Sequence, residues 1–92
     1  MRDAGQPMKI GVIHEIADTE SFEERGLAMT EEIPEGIKNH QACISTDGTA
    51  GTCVWEGESV DEVSQFIDTA LGDASKQKYF EIHEDVSVGV PG

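Results

Sequence analysis

Ninety-two residues carry nineteen Asp and Glu against six Lys and Arg, a net charge of −13. That balance argues strongly against nucleic acid or an anionic membrane as partner, because neutralising phosphate needs clustered Lys and Arg. The length allows one domain with one modest core, and no apolar run approaches the roughly 20 residues that span a bilayer.

Residues 1–7 read as a loose, flexible extension, with Met8 as an alternative start; residues 8–92 are the single domain. There is no apolar h-region of a signal peptide, so the chain is expected to be cytoplasmic. Met8 to Ile16, MKIGVIHEI, reads as a strand. Ile10, Val12, His14 and Ile16 share one face, and Gly11, Ile13 and Glu15 share the other. Both faces are partly apolar, which suits a central strand. Ser21-Phe22-Glu23-Glu24 reads as a capping box. Phe22, Met29 and Ile33 then mark a loose helical stripe that ends at Pro34-Glu35-Gly36.

Ala42 to Phe66 is the most informative stretch. Asp47-Gly48 lies between two β-prone runs and suggests a two-residue type I′ turn. That register sets Ile44 opposite Gly51, Ala42 opposite Cys53 and His40 opposite Trp55. Cys43 then faces Thr52, so the two thiols point to opposite faces and are expected to be free, as in a reducing compartment. Ser59-Val60-Asp61-Glu62 is a second capping box. Val63, Phe66, Ile67, Ala70 and Leu71 follow at helical spacing, and Gly72 suits the C-cap.

Asp73 to Lys76 reads as a loop. Gln77 to Glu84 alternates as a last strand, with Phe80 and Ile82 on one face and Tyr79, Glu81 and His83 on the other. A short tail ends at a Pro91 stop. The order β-α-β-β-α-β predicts an α+β, ferredoxin-like sandwich: a four-stranded antiparallel sheet, order 4-1-3-2, with both helices on one face. Phe80, Ile82, Ala42 and Ile44 are expected beneath the helices. The bare face is expected to carry Ile13, Cys43, Val54, Tyr79, Glu81 and His83.

Pro34-Glu35-Gly36, Asp47-Gly48, Cys53-Val54-Trp55-Glu56, Ser59-Val60, Leu71-Gly72-Asp73-Ala74-Ser75 and Tyr79-Phe80-Glu81 resemble short ferredoxin-like proteins related to the small nickel-binding ferredoxin-like family. The likeness covers most of residues 8 to 91. It implies the same sandwich, often paired as a dimeric α+β barrel, without implying an established activity. The nickel-binding members carry a His on the second strand just ahead of the Asp-Gly turn. The nearest match is His40, one residue further away, an offset that flips a side chain to the opposite face unless a bulge absorbs it.

Three histidines invite a metal reading, with nickel or zinc held by His40 and His83. For His14 the local expectation is a core or rim histidine with a hydrogen-bond partner. An apolar sheet face left bare by helices marks a contact. The expected function is a homodimeric interaction or small-ligand-binding module with no cofactor and no catalysis of its own. The alternative is a barrel enzyme with an intersubunit pocket, with Glu81 and His83 as polar groups, His83 as general base and Tyr79 as donor. Few lysines and many acids also suit a halophilic cytoplasm, where salt screens self-repulsion.

Overall fold

The computed structural model describes residues 7–90. The expected extension at residues 1–7, Pro7 apart, and the Pro91 stop lie outside the described residues. The elements are β1 (Met8–Ile16), α1 (Thr19–Thr30), β2 (Lys38–Ile44), β3 (Ala50–Gly57), α2 (Val60–Leu71) and β4 (Ser75–Glu81), with short 3-10 turns at Gly72–Ala74 and Glu84–Val86. The four strands form one antiparallel sheet in the order β2-β3-β1-β4, with β1 central. This is the ferredoxin-like sandwich in the expected strand order.

The hairpin keeps the expected register, with Ile44 opposite Gly51 and Ala42 opposite Cys53. Its turn differs. Gly48 has φ +76, and no non-glycine described residue has positive φ, so Asp47 cannot supply the second positive φ of a type I′ turn. Gly48 N–H instead donates to Ser45 O at 3.0 Å, which centres the turn on Thr46 and Asp47. The Asp47 carboxylate accepts from Thr49 N–H at 3.0 Å and from the Ser45 and Thr49 hydroxyls at 2.7 and 2.8 Å. An Asp that bonds the backbone two residues on builds a turn without leaving right-handed space.

Helix α2 starts where the sequence places it, with the Ser59 hydroxyl accepting from Glu62 N–H. It ends at Gly72, φ +57. Arg25 of α1 donates to Leu71 O at 2.8 Å, a cation on the negative end of that helix. Helix α1 starts before Ser21. Its cap is Asp18, whose carboxylate accepts from Ser21 N–H at 3.1 Å. A carboxylate caps a helix as well as a hydroxyl does, and Ser21 lies inside the first turn.

The core is one layer between sheet and helices. Ile10, Val12 and Trp55 from the sheet meet Val63, Ile67 and Leu71 from α2, all fully buried. Phe22, Ile16, Ile37 and Met8 close its margins. Strand β4 presents the opposite face from the one its apolar residues suggest. Tyr79 pairs with Val12 and Gln77 with His14, so the odd residues of β4 face the helices. Phe80 pairs with Gly11 and lies on the bare face, its ring where a Cβ on Gly11 would sit. The face expected for Phe80 and Ile82 and the one expected for Tyr79 and Glu81 are therefore exchanged. Gln77 and Tyr79 of β4 are accommodated beside α2 because both bond to Asp68.

Candidate functional site

Two helices do not cover four strands equally. Helix α2 packs on β3 and β4, and α1 packs chiefly on α2. The helix-side face of edge strand β2 is left open. Ala42 and Ile44 point to that side, yet both are exposed. Between them and α1 lies an open cleft of about 380 Å³. Its walls are largely apolar, with Phe22, Leu27 and Met29 on one side and Ala42 and Ile44 on the other, and Glu23, Thr30 and Asn39 also line it. Gly26 of α1 lines it with no atom within 4 Å of where its Cβ would be. The floor is Trp55, Cys53 and His14.

A hydrogen-bonded chain starts at that floor. His14 Nε2 lies 3.1 Å from Cys53 Sγ, and His14 Nδ1 lies 3.2 Å from Gln77 Oε1. Gln77 Nε2 donates to Asp68 Oδ1 at 2.9 Å, which turns the amide oxygen toward His14. The Ser75 hydroxyl also donates to that amide oxygen. Tyr79 O–H donates to the same Asp68 oxygen at 2.5 Å. The order of donors fixes the tautomer. Nδ1 carries the proton toward Gln77, so Nε2 holds a lone pair and accepts from the Cys53 S–H.

Burial sets the charge states. His14 is 3% exposed, and its desolvation lowers the imidazole below its ordinary 6.5 despite the Gln77 bond and the Asp68 charge. Burial pushes the Cys53 thiol up to about 11. The pair at the cleft floor is therefore neutral thiol and neutral imidazole at pH 7. Trp55 is 2% exposed. Its indole N–H lies close enough to the thiol to favour thiolate slightly, yet it makes no hydrogen bond among the described residues.

The bare sheet face differs in character. All four lysines of the chain, Lys9, Lys38, Lys76 and Lys78, have register positions on it. At its centre Ile13 is 47% and Phe80 49% exposed. A bulge between Asn39 and Gln41 takes His40 out of the ladder and sets Asn39, not His40, opposite Trp55. The Asn39 amide holds the bulge through Gln41 O and Val54 O. His40 Nε2 then meets Glu56 Oε1 at 2.9 Å, on the bare face. That bond and Lys9 Nζ, 3.2 Å from the same oxygen, hold the Glu56 carboxyl below its usual range.

The other sequence-derived candidates lie along β4 and the turn that follows it. Tyr79 is half-buried under α2 and bonded to Asp68. Glu81 stands opposite Ile10 at the end of β4. His83 is exposed and begins the turn at Glu84–Val86. Among the described residues, no three His, Cys, Asp or Glu side chains are placed to hold a metal ion. Lys9 Nζ, 3.2 Å from Glu56 Oε1, already pairs with the carboxylate that His40 meets. Cys43 is exposed and Cys53 buried, both free, on opposite faces as expected. Alternation along β1 and β3 places His14 and Cys53 on one face, but the cleft above them has no local signature beyond that shared face and the glycine at position 26. No family model matches the chain, and no curated protein matches it.

Proposed function

We propose that this chain is a small cytoplasmic ligand-binding module whose ligand sits in the cleft between α1 and β2. The carrying observation is the cleft itself: about 380 Å³ of mostly apolar space with His14, Cys53 and Trp55 on its floor. Small-molecule sites have this composition and start near about 300 Å³. The ligand class that fits is a compact, uncharged apolar molecule with one hydrogen-bond acceptor. The acceptor suits the Trp55 N–H, which makes no hydrogen bond among the described residues, and the lack of charge suits a chain at −13. Two free thiols support a reducing compartment.

Trp55 is the chain's only tryptophan, so its fluorescence reads the site directly. The neutral probe N-phenyl-1-naphthylamine is expected to bind saturably and quench Trp55. Gly26→Leu should fill the cleft and abolish this while the circular dichroism spectrum is retained. Unchanged emission throughout the titration would remove the reading.

Self-association through the bare face is a second reading, favoured by Ile13, Phe80 and the four lysines there. The four lysines there locally offset the −13 net charge that would otherwise keep two copies apart. Light scattering in molar KCl should give a homodimer, and Phe80→Asp should give a monomer. A wild-type monomer at high concentration would rule it out.

A further inference from the structure

A buried cysteine bonded to a histidine has two uses. It can fill space, or it can be a nucleophile beside its base. Filling space accounts for Cys53, but it does not account for what surrounds it. The imidazole is aimed at the sulfur by a chain that runs His14, Gln77, Asp68 and is braced by Ser75 and Tyr79. The tautomer this imposes presents a lone pair, not a proton, to the thiol. The same floor carries an indole N–H that is nearly fully buried, lies near the thiol and makes no hydrogen bond among the described residues. An orphan donor of this kind is costly unless something absent from the chain accepts its bond.

From this geometry we infer that Cys53 is a nucleophile for acyl transfer, with His14 as its general base and the Trp55 N–H as the donor to the carbonyl oxygen. The substrate class is an activated ester or thioester with a short apolar acyl group, which the cleft walls would hold. The inference depends on the cleft being a ligand site, as proposed above, and adds the chemistry of the ligand.

Cys53 Sγ attacks the carbonyl carbon while its proton passes to His14 Nε2. An S–C bond forms, the carbonyl π bond opens, and negative charge collects on oxygen beside Trp55. On collapse the bond to the leaving oxygen or sulfur breaks. That atom takes the proton back from His14. The products are S-acylated Cys53 and a free alcohol or thiol, so atoms and electrons balance with no further reactant. A neutral pair suits this route, because the base is needed only as the thiol attacks. Gln77 is a positioning residue: it acts on the thiol only through His14.

The test uses the whole chain carrying Cys43→Ser, which removes the exposed thiol on the other face, and p-nitrophenyl butyrate as acyl donor. The expected result is one butyryl group on Cys53 by mass spectrometry, with stoichiometric release of p-nitrophenol. Without the base, in His14→Gln, labelling should slow by about 100-fold or more. Trp55→Phe keeps the ring and removes the donor, and should cost about 100-fold. Gln77→Leu, which removes the acceptor for His14 Nδ1, should slow labelling and shift the pH dependence of its rate. If His14→Gln does not fold, Trp55→Phe decides.

Binding of N-phenyl-1-naphthylamine, read by its own emission, separates the two proposals. A probe that binds while Cys53 stays unlabelled overturns the acyl chemistry and leaves the cleft. No binding and no labelling overturns both. Labelling that is equally fast in the His14 and Trp55 variants is incidental thiol acylation and also overturns the chemistry.

Discussion

The Tyr79 hydroxyl donates to the Asp68 carboxylate at 2.5 Å, tying β4 to the exposed face of α2. Burial and that hydrogen bond both push the phenol well above its ordinary 10. Tyr79 is the only tyrosine, so a 295 nm absorbance titration of the folded chain should show no ionisation at pH 10. The folded state binds the extra proton, so stability should fall as pH rises above 10. Tyr79→Phe should cost about 1 kcal/mol by urea denaturation, since Asp68 keeps its Gln77 bond and its contact with water.

His14 sets the acid side. Its folded value lies below 6.5 because burial disfavours the imidazolium. The unfolded chain therefore binds the proton first, and the stability due to neutral His14 is complete above 6.5 and lost as pH falls below it. The urea midpoint should drop between pH 7.5 and pH 5.5, above the range in which carboxylates titrate. In His14→Gln that drop should shrink. A midpoint equal at both pH values would contradict the neutral, buried assignment.

Gly26 is a helix-interior glycine with open space where its Cβ would go. Gly26→Ala should stabilise the fold by about 0.5–1 kcal/mol, because alanine loses less backbone entropy in a helix. It should also narrow the cleft and weaken probe binding. Higher stability with weaker binding would mark position 26 as one where open space is kept at the expense of stability.

Charge predicts the response to salt. At −13, acids on both helices repel one another in dilute buffer. In 1 M KCl the Debye length falls to about 3 Å and the repulsion is screened. The urea midpoint should rise steadily from low salt to molar KCl. An unchanged midpoint would mean the acids are already balanced locally, and would remove the expectation of a halophilic setting.

Much of this fold is legible in the residues. The bounds of β1, the Ser59 cap of α2, its apolar stripe and the pairing of Ala42 with Cys53 all follow from local signals. Each rests on neighbours a few positions apart or on a turn that fixes both strands. The strand order follows because β-α-β-β-α-β at this length has few compact solutions.

The face of β4, the position of His40 and the cleft do not follow. Alternation shows that Phe80 and Tyr79 point to opposite sides, but it does not show which side meets the helices. Pairing with β1 decides that, and the buried side can be the polar one because Asp68, His14 and Ser75 satisfy it. A bulge held by Asn39 moves His40 to the bare face, and no periodicity in KNHQACI announces the extra residue. The cleft exists because two helices packed side by side leave an edge strand uncovered. Alternation along each strand can be read locally, but which alternate face is buried depends on partners 39 and 63 residues away in the chain.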